Sequence, residues 1–388
     1  MNVLLCPLSD PGYLYPALAV GRELRRRAHT VHVLAGPDGA TTAEAAGLDM
    51  STVTDTTALS VTHWSVRGPE QYTAVARAVR RLRPDVLVTS VLCHGALVAA
   101  EAADLPVVVL GLTAHLWPYR AGGADPADTH DRMWRLTETL KHYTAVREAA
   151  GLAPRDDRFP DTPLLGTTFL LRGHPLLEPD DAELPPAVRH AGPCWWEPEP
   201  SSPQPASPRA ELTDAPSPEH LPDSKPLAYV HLGRTFGGTS LWPRLNAAFT
   251  SGTHRAVVEL GRSGAPEAAP DADLIVGRRP WMGPLVERAD LVLTNATSAP
   301  VLGALLHGKP LLVAPNGSEQ QVLAAACLRA GVARRLPEPG TPAAELRAAV
   351  AEAARDPRLR SRAQEIGGLL ANGKSETRAA DAVEAAAR

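Results

Sequence analysis

Residues 288–331 read RADLVLTNATSAPVLGALLHGKPLLVAPNGSEQQVLAAACLRAG. Two short apolar segments, DLVLT and PLLVA, alternate in this stretch with two longer runs that have helical spacing. Strand and helix in alternation predict parallel strands that are joined by helical crossovers. Strands that are apolar on both faces predict a sheet that is covered on both sides. The stretch therefore predicts part of an α/β domain with a buried parallel sheet.

The same alternation continues outward in both directions along the chain. One series runs from NVLLCPL (residues 2–8) to PVVVLGL (106–112), and a second series starts at PLAYVHLG (226–233). Residues 197–226 contain nine prolines among serines, alanines and acids, which is typical of an exposed linker. A chain of 388 residues is also too long for one ordinary core. We therefore expect an N-terminal domain over 1–196, a linker over 197–226 and a C-terminal domain over 227–388, with packing of the last helix on the N-terminal domain left open.

Composition narrows the class of protein. The net charge is −4 with acids and bases interspersed, so bulk charge gives no support for a nucleic-acid partner. The four cysteines are far apart and form no CxxC pair, which disfavours both a disulfide framework and a zinc site. The apolar run at the N-terminus lacks a basic region before it, and no segment approaches the length of a membrane span. We expect a cytoplasmic, soluble protein without membrane contact or bound metal, either a monomer or a homodimer.

The loop in the middle of the opening stretch has the features of an anion-binding loop. Asn295 to Pro300 follow an apolar strand and open a helix, where Thr297 and Ser298 are good N-cap residues. A helix N-terminus offers free backbone N–H groups and a partial positive charge, which suits a diphosphate. The alternative is an ordinary capped helix. No lysine or arginine lies in this loop, so binding there would rest mostly on neutral donors.

Four blocks of the chain resemble the GT-B-fold, UGT-like glycosyltransferases of bacterial natural-product biosynthesis. They are DPGYLYPALAVGRELRRRAHTVHVLAG, PDVLVTSVLCHGALVAAEAADLPVVVLG, PPAVRHAGP and, most specifically, the block from PWMGPLVERADLVLTNATSAP to CLRAGVARRL. The resemblance implies an α/β GT-B fold, with two doubly wound, Rossmann-like parallel-sheet domains facing across a cleft. It also implies a UDP- or dTDP-sugar as co-substrate and a small-molecule acceptor, with no separate cofactor.

The resemblance assigns donor-binding roles to several positions. Asn295, Thr297 and Ser298 correspond to the phosphate loop, and Glu319 and Gln320 to the acidic-amide pair that holds sugar hydroxyls. Thr235, in the glycine-rich turn GRTFGG, corresponds to the phosphate-side loop. Either Arg279 or Trp281 corresponds to the group that stacks on the nucleobase. For each of these, the competing explanation is local structure: a turn, a first-turn acid or a packed tryptophan.

The active-site loop departs from the pattern of the family. Family members commonly have a catalytic histidine where this chain has Tyr13, and an orienting aspartate where it has Ser90. Tyrosine, with a pKa of about 10, is a poor base at neutral pH, and packing against an acceptor is favoured for Tyr13. The remaining candidates for a catalytic base are Asp10, which also suits a turn, and His94. His115 and Trp117, in the segment HLWPYR, correspond to an acceptor pocket.

These observations favour an inverting glycosyltransferase that acts on a small natural product without the usual histidine. Either another residue serves as the base, or the acceptor is acidic enough to need little help, as in C-glycosylation of a phenolic ring. The alternatives are a catalytically silent GT-B protein that binds a ligand or assists a partner, and a GT-B enzyme repurposed for another reaction such as epimerisation. Binding of a nucleoside diphosphate separates the enzyme from the silent protein.

Overall fold

We describe the protein from a computed structural model. The structure describes residues 1–53, 67–112, 126–155, 163–180, 182–199, 221, 224–231, 233, 239–260, 267–278, 282–317 and 320–388. The chain divides into two compact units, of which unit 1 comprises 1–198 and 373–388, and unit 2 comprises 199–372. No helix in the described parts of the chain combines the length and apolar character needed to cross a membrane.

Unit 1 is built on a sheet of seven parallel strands in the order β3-β2-β1-β4-β5-β6-β7. The strands are β1 (Asn2–Cys6), β2 (Thr30–Ala35), β3 (Asp49–Thr52), β4 (Val86–Ser90), β5 (Val107–Gly111), β6 (Thr168–Leu171) and β7 (Val188–His190). The helices are α1 (Pro11–Arg26), α2 (Ala40–Ala45), α3 (Gly68–Leu82), α4 (His94–Ala102) and α5 (Pro126–Ala149).

Unit 2 repeats the plan with six parallel strands in the order β10-β9-β8-β11-β12-β13. They are β8 (Leu227–His231), β9 (Arg255–Glu259), β10 (Leu274–Gly277), β11 (Leu291–Thr294), β12 (Leu311–Val313) and β13 (Ala333–Arg335). The helices are α6 (Trp242–Phe249), α7 (Met282–Arg288), α8 (Ser298–Leu306), α9 (Gln320–Arg329), α10 (Ala343–Arg355) and α11 (Pro357–Asn372). The last helix, α12 (Ser375–Ala386), belongs to unit 1.

Burial explains why the strands are apolar along their whole length. Every residue of β4, β5, β8 and β11 is buried, because helices cover both faces of each sheet. In unit 1, one apolar cluster lies on the face of α3 and α4, and the other lies on the face of α1 and α12. The predicted class, two doubly wound α/β domains with parallel sheets, is confirmed.

Helix α12 is fastened to unit 1 by apolar and polar contacts. Ala379, Ala380 and Val383 are fully buried in the cluster that includes α1. At its rim, the Arg27 guanidinium lies 2.6 Å from the Asp381 carboxylate. The end of the chain therefore completes the core of the first unit, and unit 2 ends at residue 372.

In both sheets the order of the strands reverses beside the first strand of the unit. The reversal falls between β1 and β4 in unit 1 and between β8 and β11 in unit 2. In open parallel sheets, a crevice forms at the carboxyl ends of the two strands that flank such a point, and ligands bind there. The four loops that follow these strands are therefore where a functional site is expected in each unit.

Candidate functional sites

Asp10 lies in the loop after β1, and its carboxylate caps helix α1. Oδ1 of Asp10 accepts a hydrogen bond of 2.9 Å from the Gly12 N–H, and the backbone of Asp10 is extended (φ −67°, ψ 133°). This is the usual geometry of an N-cap aspartate. The second oxygen, Oδ2, has no hydrogen bond among the described residues, and the side chain is partly exposed. One oxygen thus fixes the carboxylate while the other stays open to solvent or ligand.

Tyr13 lies on the first turn of α1 and is half-buried against the apolar cluster on the α3 and α4 face. The residue before it, Gly12, is bound from outside the helix by Arg172, which follows β6. Nη1 of Arg172 donates a 2.7 Å hydrogen bond to the Gly12 carbonyl, and Nε donates to the Pro193 carbonyl at 3.4 Å. Arg172 is only 6% exposed, and this burial lowers the pKa of its guanidinium to about 10. A buried cation therefore braces the loop directly beside Tyr13.

The loop after β4 presents a buried polar cluster. The Ser90 hydroxyl lies 3.2 Å from the Cys93 sulfur, and Oε1 of Gln71 accepts from the Gly95 N–H at 3.0 Å. Cys93 is fully buried, and this burial raises the pKa of its thiol, so the thiolate is disfavoured. Ser90 consequently contacts a thiol at the position where the resemblance implied an orienting aspartate in other proteins.

His94 begins helix α4 and is completely buried. Neither ring nitrogen has a hydrogen-bond partner among the described residues, and the ring stacks on His142 with centroids 6.3 Å apart. Burial, with a smaller contribution from His142, lowers the pKa of His94 to about 3. An imidazole with that pKa is a weak base at neutral pH, so the structure argues against the catalytic role predicted for His94.

The buried state of His94 predicts a specific pH dependence of stability. The unfolded state takes up a proton near pH 6.5, whereas the folded state resists protonation until about pH 3, so stability is present above pH 6.5 and is lost as the pH falls below it. Between pH 6.5 and 4.5 the free energy of unfolding of the wild type should fall by about 2 kcal/mol because of His94. The His94→Leu variant, which has no imidazole there, should not show this loss. Urea unfolding of both proteins over this pH range measures the difference. The same dependence of unfolding free energy on pH in the two proteins would contradict the prediction.

In unit 2 the loop between β11 and α8 has a constrained backbone. Ala296 is buried and has φ +65°, a left-handed conformation that is uncommon for a residue with a Cβ atom. Thr297 is the N-cap of α8, yet its side chain makes no capping hydrogen bond to the helix. Its hydroxyl instead donates to Oδ1 of Asn295 at 3.2 Å. The first turn of α8 therefore receives no side-chain cap from Thr297, although sequence reasoning had favoured it as a cap.

The loop after β8 approaches this turn very closely at Gly233. Gly233 has φ +77°, and a Cβ atom built on it would lie 2.1 Å from Nδ2 of Asn295. Only glycine fits here, for both conformational and steric reasons. The loops after β8 and β11 are thus in direct contact at the point where the strand order reverses.

Gln320 begins helix α9 and is completely buried. Oε1 of Gln320 accepts a 2.7 Å hydrogen bond from the Asn316 N–H, which fixes the orientation of the amide. Nε2 has no hydrogen-bond partner among the described residues. A buried N–H group without an acceptor costs about 1–3 kcal/mol, and a bound water or a ligand can supply the missing acceptor.

His231, Glu259 and Tyr229 form a buried cluster that sequence reasoning missed. His231 and Glu259 are the last residues of β8 and β9 and are paired in the sheet register. Nε2 of His231 lies 3.6 Å from Oε1 of Glu259, and the Tyr229 hydroxyl donates to Oε2 of Glu259. The available signal was a polar residue ending each of two otherwise apolar strands, PLAYVH and RAVVE.

The remaining predicted site residues lie outside the described residues. They are His115, Trp117, Thr235, Arg279, Trp281 and Glu319. Of the predicted residues that are described, the structure brings Asn295, Thr297 and Ser298 together in one turn, with Gln320 at the start of the next helix. Asp10 and Tyr13 lie together at the start of α1 in unit 1, Asp10 as its N-cap and Tyr13 in its first turn.

No protein-family model matches the chain. Two curated proteins are similar to the chain in sequence. One is the 4'-demethylrebeccamycin synthase of Lentzea aerocolonigenes, 26% identical over 326 residues, which are 76% of this chain and 72% of the relative. The other is the NDP-glycosyltransferase YjiC of Bacillus licheniformis, 25% identical over 167 residues, and the match spans 42% of this chain and only 41% of the relative.

Solved structures of the same architecture match nearly the whole chain. The glycosyltransferase of kitacinnamycin aligns with a TM-score of 0.77 and 22% identity, covering 99% of this chain and 98% of that one. The glycosyltransferase VinC in complex with dTDP aligns with a TM-score of 0.63 and 17% identity, covering 98% and 100%. The fold is therefore GT-B, and the expected resemblance to the glycosyltransferases of antibiotic biosynthesis is confirmed.

Proposed function

We propose that the protein is an inverting glycosyltransferase that moves a sugar from a UDP- or dTDP-sugar to a small natural product. The observation that carries the proposal is the buried, oriented Gln320 amide, whose Nε2 lacks an acceptor among the described residues. A sugar hydroxyl is an acceptor of the right kind for it. The GT-B fold and the glycosyltransferase relatives support the same reaction.

The donor site proposed for unit 2 has two parts. The diphosphate binds at the turn of Asn295, Thr297 and Ser298, where the start of α8 offers N–H groups without a side-chain cap from Thr297. The sugar binds near the start of α9, where Gln320 donates from Nε2 to a hydroxyl, and Glu319 is the proposed second partner. One structure of the same fold is a complex with dTDP, which supports thymidine as the nucleoside of the donor.

The acceptor side is proposed to use the loop after β1. In an inverting transfer, the acceptor oxygen attacks the anomeric carbon, the bond to the diphosphate breaks with its electron pair, and the acceptor proton passes to a base. The carboxylate of Asp10 is the preferred base, since Oδ1 is fixed by Gly12 and Oδ2 carries no hydrogen bond among the described residues. Tyr13 is proposed to pack against the acceptor.

A phenolic acceptor that ionises easily would need less help from a base. C-glycosylation of such a ring therefore remains compatible with a site that lacks a histidine at position 13. A silent binding protein is the rival explanation. A silent protein should bind neither UDP nor dTDP, or should bind one of them without turning over a sugar donor.

Turnover is the test of this proposal. The wild-type protein is incubated with UDP- and dTDP-hexoses and a panel of phenolic and polycyclic alcohols, and products are followed by mass and by the anomeric coupling constant. We expect a glycoside of inverted configuration together with one equivalent of nucleoside diphosphate. Tight binding of a nucleoside diphosphate with no turnover on any acceptor would favour the silent protein.

A further inference from the structure

Helix α1 lacks one backbone hydrogen bond near its start. In an α-helix, the carbonyl of residue 12 normally accepts from the N–H of residue 16. Residue 16 is a buried proline inside α1, so this donor does not exist. A proline ring within a helix also crowds the carbonyl four residues before it. The Gly12 carbonyl therefore needs a donor from outside the helix.

Arg172 supplies this donor from the loop after β6. Its Nη1 donates to the Gly12 carbonyl at 2.7 Å, and its Nε donates to the Pro193 carbonyl at 3.4 Å. The backbone N–H of Arg172 donates to the Gly111 carbonyl at 2.9 Å, which fixes the residue to the end of β5. The planar guanidinium thus joins two carbonyls that are far apart in the chain, a geometry that a single point donor does not match.

Gly12 connects this arginine to the proposed base. The Gly12 N–H donates to Oδ1 of Asp10 at 2.9 Å, and the Gly12 carbonyl accepts from Arg172. Gly12 is thus bound by a carboxylate on one side and by a guanidinium on the other, and hydrogen bonds to charged groups are the stronger kind. The Asp10 carbonyl in turn accepts from the N–H groups of Tyr13 and Leu14 at 2.9 and 2.8 Å. The positions of Asp10 and Tyr13 therefore depend on the place where Arg172 holds Gly12.

We infer that Arg172 is a positioning residue of the acceptor side, which holds the first turn of α1 through the carbonyl that Pro16 leaves without a donor. This inference rests on the proposed function, in which Asp10 is the base and Tyr13 packs against the acceptor. Arg172 acts through Gly12, and no step of bond making or breaking is assigned to it. A side chain without a donor at position 172 loses the bond, and a backbone N–H at position 16 restores it from within the helix.

A double-mutant cycle tests the pairing of Arg172 with Pro16. Arg172→Met removes the donor and keeps the length of the side chain, while Pro16→Ala supplies the missing N–H. Arg189→Met is the control, because the Arg189 guanidinium in β7 also bonds to backbone carbonyls, those of Pro186 and Val188. Each variant is measured for kcat and KM toward the best acceptor of the panel above, for affinity toward UDP or dTDP, and for amide hydrogen exchange.

We expect Arg172→Met to lower kcat/KM for the acceptor about 100-fold, because a displaced first turn displaces the base. In the Pro16→Ala background the same change should lower kcat/KM at most about 10-fold, since the helix then supplies the donor itself. Affinity for UDP or dTDP, whose proposed site is in unit 2, should stay within about twofold of wild type. Arg189→Met should stay within about twofold in both backgrounds.

Hydrogen exchange measures the positioning without the need for turnover. We expect Arg172→Met to speed exchange of the Tyr13 and Leu14 amides at least about 10-fold, because the first turn loses a hydrogen bond to a charged group. Amides of α4, in the same unit, should keep their wild-type rates, which separates a local effect from a loss of overall stability. Arg172→Lys, which keeps one charged donor, should give a smaller effect on every measure, and it serves if Arg172→Met fails to fold.

The inference is overturned if Arg172→Met has the same effect in both backgrounds, or if it leaves exchange of the Tyr13 and Leu14 amides unchanged. Equal behaviour of Arg172→Met and Arg189→Met would overturn it as well. A wild-type protein that transfers sugar to no acceptor would instead refute the proposed function, while the exchange measurement still decides whether Arg172 holds the first turn of α1.

Discussion

Replacing Gly233 by alanine is expected to abolish donor binding while the protein remains folded. The new methyl group would lie 2.1 Å from Nδ2 and 3.0 Å from Cγ of Asn295, so the loop after β8 or the turn after β11 must move. The φ of +77° adds about 1–2 kcal/mol of strain for a residue with a Cβ atom. We expect the affinity for UDP or dTDP to fall at least about 100-fold, which corresponds to about 3 kcal/mol.

Gly340→Ala is the matched control for this variant. Gly340 also lies in unit 2 and has φ +91°, yet a Cβ atom there would meet nothing within 4 Å. It therefore carries the same kind of backbone strain without the collision. Calorimetric titration of both variants separates the two effects. Equal losses of donor affinity would mean that strain alone is responsible and that the contact between Gly233 and Asn295 does not shape the site.

Replacing Gln320 by glutamate is expected to remove recognition of the sugar and to leave recognition of the nucleotide intact. The carboxylate still accepts from the Asn316 N–H, as Oε1 does at 2.7 Å, but it no longer offers the Nε2 donor. The loss of one hydrogen bond in a buried site predicts a fall in kcat/KM for the sugar donor of about 10- to 100-fold. Affinity for UDP or dTDP without a sugar should change little.

Gln321→Glu provides the comparison, because Gln321 is the next residue of α9 and is exposed. The same change of charge there should leave kcat/KM within about twofold of wild type. If Gln320→Glu lowered the affinity for the free nucleotide as strongly as it lowered kcat/KM, the amide would be structural, and its proposed role toward the sugar would be lost.

The fold was predictable because its signals are local. Strands that are buried on both faces must be apolar throughout, and the spacing of apolar residues indicates the helices between them. For this reason β4, β5 and β11 could be predicted from the sequence. One turn was also predicted from its residues. Asp10 was expected to suit a turn, and in the structure its side chain caps α1 through the Gly12 N–H.

The contacts that build the candidate sites were not predictable in the same way, because they depend on strand order and register. Nothing local indicates that His231 ends β8 beside Glu259 at the end of β9, or that Arg172 reaches the Gly12 carbonyl 160 residues earlier. Thr297 illustrates the same limit. Its position predicted an N-cap, but nothing local indicated that its hydroxyl lies 3.5 Å from Nδ1 of His231, which ends β8 and is 66 residues earlier in the chain.

His94 shows how burial changes the chemistry of a residue. In the sequence, His94 stands at the expected start of a helix near the expected acceptor loop. This position made it a candidate for the catalytic base. In the structure it is fully buried, and its pKa is lowered to about 3, so it stays neutral and weakly basic. Asp10, with one carboxylate oxygen fixed and the other without a hydrogen bond among the described residues, is the better candidate.

The central claim is that unit 2 is a nucleoside diphosphate site, and calorimetric titration of the wild-type protein with dTDP and with UDP tests it most directly. We predict saturable binding of at least one of them, one per chain, together with a rise in melting temperature that follows ligand concentration. Thymidine or uridine should bind more weakly, because each lacks the diphosphate that is proposed to bind at the turn of Asn295, Thr297 and Ser298. No heat and no thermal shift with either diphosphate at millimolar concentration would contradict the claim.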